Sequence, residues 1–279
     1  MKPAYFDYIR PRTVADATKV LAARSDAKII AGGQSLGPML NLRLVQPSLL
    51  VDIAGMPELV EVRESRDDVT IGAAITAADI EDGRVALKSA PMLQRIAGGI
   101  AYRAVRNRGT IGGSLCHADP AADWVCTLAA LGASGRIVGP SGTTRAIAIK
   151  DFMVAAFENA LAEGEMLVSV IVPAVSAAAR FGYSKISRKT GKFAMANGIV
   201  LYDPERQVFR AVMGATNGKP VLIEDARLVF GENPEAAQPL RCDDKFLSDL
   251  LAERGISGVR QQHLHITAIR RAASEAFAR

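Results

Sequence analysis

Two glycine pairs stand in similar company along the chain, Ala31-Gly32-Gly33-Gln34-Ser35-Leu36 and Thr110-Ile111-Gly112-Gly113-Ser114. Paired glycines leave backbone N–H groups unshielded by Cβ atoms, so each segment can form a concave nest for phosphate oxygens. Two nests suit a diphosphate approached from both sides. Glycine turns also close many strands for structural reasons alone, and the residues by themselves leave both readings open. No Gly-x4-Gly-Lys-Ser/Thr occurs, nor a Gly-x-Gly-x-x-Gly that opens a helix with an acid about 20 residues further on. Nucleotide binding of the P-loop or doubly wound kind is therefore excluded.

Directly after the second pair, Ser114 to Trp124 gathers a hydroxyl, His117 and the carboxylates Asp119 and Asp123. Asp119, before Pro120, reads either as the cap of a helix that starts there or as a ligand. Asp123, one turn inside that helix, has no capping duty and can accept a hydrogen bond from a ribose or a ring N–H. His117 invites a role as a base, but a base needs an orienting acid and a substrate, and proximity in sequence shows neither. A packed or cofactor-lining histidine is the better reading. Further on, Lys185, Arg188, Lys189 and Lys192 place four cations in eight residues. They form either a solvated loop or a counter-charge for a pyrophosphate or an electronegative ring edge, with Phe193 able to cover a ring face. Arg103, Arg106 and Arg108, the densest basic cluster, lie beside the second glycine pair, which suggests a local role near an anion.

The elements that must position these groups follow from periodicity and punctuation. An extended start at 5–10 leads to a helix near 14–24, where Thr13 and Asp16 form an acidic variant of the capping box. A strand over 27–31 empties into the first glycine pair, and a further strand is expected over 49–53. Residues 59–62 and 69–72 alternate as a hairpin around the charged turn 65–68. Helices are expected at 77–82 and 91–102, the latter with Pro91 in its first turn, and at 123–131. Strands follow at 135–138, 145–149 and 167–172, the last ended by Pro173. Beyond a small-residue linker at 174–179, the runs 181–185, 198–202 and 208–213 read as an antiparallel meander. Helical patterns at 224–229, 243–253 and 264–277 close the chain. This divides it into units at 1–55, 56–174 and 178–279, an α+β organisation without repeats.

The totals set the remaining bounds. The 279 residues suffice for two or three units with a large core. Apolar residues at 49% and charged residues at 23% are ordinary for a globular protein. A net charge of +5 is spread along the chain rather than massed into a nucleic-acid footprint. The three cysteines, Cys116, Cys126 and Cys242, match no zinc or iron–sulfur spacing. His263 and His265 share no helical face with another visible ligand, so no metal site is assigned. No apolar run approaches the roughly 18 residues of a membrane span, and no leader pattern opens the chain. The cytoplasm is the expected compartment.

Taken in order, Ala31 to Leu36, Asn41-Leu42-Arg43-Leu44, Ile71-Gly72-Ala73, Arg106 to Ser114 and His117-Ala118-Asp119-Pro120-Ala121-Ala122 closely resemble the FAD-binding medium subunit of molybdenum hydroxylases, the carbon monoxide dehydrogenase and xanthine dehydrogenase relatives. The resemblance runs through nearly the whole chain. It implies a two-part FAD domain of the vanillyl-alcohol-oxidase-like (PCMH) type, followed by a small α+β domain with a three-stranded antiparallel sheet. FAD diphosphate would be held by backbone N–H groups of Ala31, Gly32, Gly33, Gln34, Ser35 and Leu36 and of Thr110, Ile111, Gly112, Gly113 and Ser114. Ile30, Gly109, His117 and Asp119 would belong to the same cofactor set. Asp123, Leu167 and Lys185 would be later FAD contacts. Lys192 and Phe193 depart from the family pattern, which often has an acid and a tyrosine there.

The same resemblance implies partners: a large molybdopterin subunit and a small subunit with two [2Fe–2S] clusters, assembled as a dimer of heterotrimers. Electrons would pass from those clusters through FAD to an external acceptor, with no catalytic residue on this chain. The alternative is a self-contained FAD-dependent oxidoreductase that binds its own small substrate at His117.

Overall fold

Three sheets organise the computed structural model, which describes residues 2–232, 234 and 240–278. The first is parallel and is built from β1 (Asp7–Ile9), β2 (Lys28–Ile30) and β3 (Leu49–Asp52), with β3 in the middle. Helix α1 (Val14–Ala23) connects β1 to β2, and α2 (Leu36–Asn41) follows β2. The Thr13 hydroxyl accepts from the Asp16 amide, the cap the sequence indicates. Because β3 is covered on both sides, its apolar run is buried throughout rather than alternating. Val14, Ala17 and Leu21 of α1 pack against it.

The second sheet is antiparallel and holds β4 (Val62–Glu64), β5 (Asp68–Gly72), β6 (Ser134–Val138), β7 (Thr144–Ala148) and, further along the chain, the long strand Met166–Pro173. That long strand lies between β5 and β6, where both of its faces are covered. The β4–β5 hairpin begins later than its alternation suggests, because residues 57–59 close a 3-10 turn that buries Leu59 completely. Helices α3 (Ala77–Glu81), α4 (Met92–Gly98), α5 (Arg103–Arg106), α6 (Ile111–His117) and α7 (Asp123–Ala130) fill the excursion between β5 and β6. The helix expected over 91–102 is shorter, and residues 99–102 are not helical. It stops at Gly98-Gly99, and Pro91 sits at the cap position rather than inside the first turn. After β7 come α8 (Ile149–Phe152) and a small hairpin, β8 (Met153–Ala155) with β9 (Glu158–Asn159), before the long strand, hereafter β10.

The third sheet has four antiparallel strands, not the expected three: β11 (Arg180–Ile186), β12 (Ala196–Asp203), β13 (Val208–Gly214) and β14 (Val221–Ile223). The fourth spans three residues, too short to show an alternation. Helices α9 (Arg227–Phe230), α10 (Asp244–Glu253) and α11 (Val259–Ala276) follow. Helix α11 lies on the sheet at backbone contact. A Cβ on Gly182 would stand 1.8 Å from the Ala272 carbonyl oxygen, and one on Gly198 2.3 Å from the Ala268 carbonyl carbon. The small residues Ala268 and Ala272, one turn apart, face those glycines. His265, on the same helix, is fully buried, and that burial pushes its pKa down to about 4.

Candidate functional site

The two glycine segments meet. A Cβ on Gly32 would lie 1.9 Å from the Arg108 carbonyl oxygen and 3.0 Å from the Cα of Gly109. Only glycine at 32 permits this backbone approach, so β2 ends directly against the segment that leads into the second pair. Gly33 has φ +70°, in the left-handed region that other residues rarely adopt. Chain direction reverses there, and the carbonyl of Gly33 accepts from Gly37. The amides of Gly32, Gly33, Gln34 and Ser35 donate to no acceptor among the described residues. They are half-buried or exposed, as are Ile30, Ala31 and Leu36 beside them. Four adjacent unpaired donors on a Cβ-poor turn are the chemistry that an anionic diphosphate satisfies.

The second segment differs from the expected turn. Gly112 and Gly113 lie in the first turn of α6, whose cap is Thr110. The Thr110 hydroxyl accepts from the Gly113 amide at 3.0 Å, and the Ser114 amide donates to the Thr110 carbonyl. The Ile111 and Gly112 amides donate to the carbonyls of Ile75 and Ala73, while Ala77 donates to Gly109. These bonds stitch residues 109–112 to the chain leaving β5. The glycine requirement at 112 is packing: a Cβ there would stand 2.5 Å from the Cβ of Ala73. Of the second pair, Gly113 is exposed and Ser114 half-buried. The first segment is met by Gly109, whose absent Cβ would lie 3.8 Å from the Gln34 side chain.

The arginine cluster divides. Arg106 is mostly buried and pairs with Glu81 at 2.7 Å, also donating to the carbonyls of Ile100 and Ala101. That guanidinium holds the Glu81 carboxyl below its ordinary pKa. Arg103 pairs with Glu81 and Asp82. Both fasten α5 to α3. Arg108, whose carbonyl lies against Gly32, makes no ion pair with a carboxylate among the described residues, and its charge is felt at the Tyr8 hydroxyl.

Asp123 is the first residue of α7 rather than one turn inside it, and is 6% exposed. The Lys185 ammonium pairs with its Oδ2 at 2.8 Å, and the Tyr183 hydroxyl donates to its Oδ1. Burial, and then the Asp123 carboxylate, raise the Tyr183 pKa above the ordinary phenol value. The hydroxyl therefore stays protonated and remains a donor. Asp119 caps no helix, because residues 120–122 are not helical. Its Oδ1 instead accepts from the Ala121 amide at 2.8 Å. The His117 ring packs on Phe157 at 5.2 Å, and no carboxylate among the described residues is bonded to it. That is the geometry of a packed histidine, not of an oriented base. Leu167 is 3% exposed and belongs to the core around β10, in the same buried cluster as Ile111. In the 187–193 loop, Gly191 (φ +80°) turns against the Tyr102 ring, which a Cβ would meet at 2.5 Å, and Phe193 is 66% exposed. Tyr183 was not singled out from sequence. The period-2 alternation that places it on the same face of β11 as Lys185 is the signal that points to it. Phe157, at a short hairpin tip, carries no such signal.

The thiols of Cys116 and Cys126 are both pushed up to about 12 by burial and are chemically quiet. No group of three His, Cys, Asp or Glu side chains among the described residues could hold a metal ion. No described helix is long and apolar enough to cross a membrane.

Comparison with known proteins places this geometry. A family described as the FAD binding domain in molybdopterin dehydrogenase matches residues 4–175. The 6-hydroxypseudooxynicotine dehydrogenase complex subunit alpha of Paenarthrobacter nicotinovorans is 39% identical, over 78% of this chain and 74% of its own length. The carbon monoxide dehydrogenase medium chain of Hydrogenophaga pseudoflava is 36% identical, over 80% and 78%. A solved carbon monoxide dehydrogenase from the same organism superposes with a TM-score of 0.84 at 30% identity, covering 100% of this chain and 99% of that one.

Proposed function

The chain belongs to the FAD-binding family of molybdopterin dehydrogenases and is an FAD-binding oxidoreductase subunit of medium-subunit type, and from that premise we propose that it relays electrons within a heterotrimer. In this reading its partners are a small subunit with two [2Fe–2S] clusters and a large molybdopterin subunit, and the assembly is a dimer of such trimers in the cytoplasm. Electrons reach this subunit from the clusters and leave to an external acceptor. Bound FAD supplies the redox chemistry. The protein's own residues bind it, orient it and set its surroundings.

The observation that carries the reading is the run of unpaired amides from Gly32 to Ser35, set against the backbone of Arg108 and Gly109. These donors hold the diphosphate, with Ile30, Ala31 and Leu36 beside them. Gly109 to Ser114 form the opposing wall, and Arg108 supplies positive charge. Asp123 and Lys185 meet the cofactor further along the cleft, where His117 and Asp119 line it. Leu167 contributes only as core beneath the site. The functional boundaries follow the sheets: 1–55 and 56–174 enclose FAD, and 178–279 closes over it.

Gly33→Val tests this directly, because a branched residue at φ +70° distorts the turn that presents the amides. The full chain is loaded with FAD or FMN, desalted, and its bound flavin measured by fluorescence quenching. FAD-selective retention by the natural chain and its loss in Gly33→Val is the expected outcome. Equal FAD stoichiometry in both proteins refutes the phosphate cradle.

A further inference from the structure

The strongest unassigned feature is the set of contacts around Tyr183, which lies on β11, the edge strand of the C-terminal sheet, and reaches Asp123 at the start of α7. Its hydroxyl donates to Asp123 Oδ1, while Lys185 donates to Oδ2, so the two β11 residues grip the two oxygens of one buried carboxylate. Tyr183 and Lys185 share a face of β11. The Tyr183 peptide is itself clamped. Its N–H donates to Glu275 Oε2 at 3.1 Å, and its carbonyl accepts from Arg95 Nη2 at 3.5 Å. Arg95 of α4 and Glu275 of α11 close the clamp by pairing with each other, Nη2 to Oε2 at 3.0 Å.

We infer that Tyr183 is a positioning residue for the flavin, fixing the Asp123 carboxylate through its hydroxyl and held in turn by the Arg95–Glu275 pair. Without the phenol, Asp123 keeps only Lys185 and turns toward it. The carboxylate then no longer presents its second oxygen in a fixed direction, although the β11 backbone is unchanged. The route runs from α4 and α11 through the Tyr183 peptide to the hydroxyl and on to Asp123. It links the orientation of a cleft residue to the seating of the C-terminal sheet. The inference rests on the reading above that Asp123 meets FAD.

The test compares Tyr183→Phe, Asp123→Ala and Glu275→Ala in the full chain, measuring the FAD dissociation constant, the flavin visible spectrum and midpoint potential, and the melting temperature of the FAD-free protein. Tyr183→Phe keeps the ring and removes one hydrogen bond to a charged group, so FAD should bind about tenfold more weakly. Its spectrum and potential should move while the melting temperature holds. Asp123→Ala should weaken binding more. Glu275→Ala should weaken it about threefold, as expected for a half-exposed ion pair, and it carries the test if Tyr183→Phe does not fold. Weakening in Asp123→Ala with natural affinity in both other variants overturns the inference and leaves the Asp123 reading intact. A Tyr183→Phe protein with a lowered melting temperature but an unmoved spectrum and potential also overturns it, since that is a structural tyrosine. Natural affinity in all three variants refutes the reading of Asp123, and the inference falls with it.

Discussion

The two glycine pairs look alike in sequence and do different work in the fold. At Gly32-Gly33 the amides stay unpaired, one residue takes φ +70°, and the missing Cβ lets β2 touch Arg108. At Gly112-Gly113 the amides go to Ala73 and to Thr110, and the missing Cβ lets α6 touch the chain leaving β5. The first pair is glycine for a turn that leaves its amides free; the second is glycine for a helix start and close packing. A glycine pair therefore reports that backbone must come close to something, and the surrounding hydrogen bonds decide whether that something is protein or solute.

Substitutions separate the two roles. Gly32→Ala should have the largest effect, because its Cβ would overlap the Arg108 carbonyl at 1.9 Å and neither backbone can move freely. A cost of about 3 kcal/mol, the upper end for overpacking, is expected together with loss of FAD after desalting. Calorimetry and flavin stoichiometry check this, and natural FAD retention would show that the two segments need not touch. Gly112→Ala should cost about 2 kcal/mol in FAD-free protein, since its Cβ meets that of Ala73 at 2.5 Å. Adding Ala73→Gly should recover part of the loss. A double-mutant cycle without coupling would mean that Gly112 is not glycine for packing.

Much of this organisation is legible in the sequence, and the failures have physical causes. The α1 cap at Thr13, the buried run of β3 and the meander of β11 to β13 follow local patterns that tertiary contacts reinforce. Local patterns misled where a distant backbone intervened. Gly112-Gly113 reads as a turn until Ala73 and Thr110 are seen to take its amides. Asp119 before Pro120 reads as a cap, yet the helix waits until Asp123. Arg103 and Arg106 read as anion ligands because their carboxylate partners on α3 lie more than twenty residues earlier. Leu167 has its side chain in the core of the second sheet, a burial that its apolar run already indicates.

Two smaller effects sharpen the comparison. Thr110→Val removes the acceptor for the Gly113 amide, so α6 should lose about 1 kcal/mol, the usual worth of an N-cap, measured by denaturant titration. If Gly113 served the ligand rather than the helix, FAD-free stability would not fall. Gly37→Ala, inside α2, is the counterpart on the first segment. Nothing lies within 4 Å of the added Cβ, and Gly37 is not in the left-handed region. Alanine is the better helix former, so the FAD-free protein should be stabilised by up to about 1 kcal/mol. The same methyl lies one turn beyond the unpaired amides of Gly32 to Ser35, pointing into space that protein atoms leave open. FAD affinity within twofold of natural would confine the cradle to residues 32–35. A fall of tenfold with unchanged FAD-free stability would extend it along α2, and would make Gly37 a third kind of glycine, one kept free for the cofactor alone.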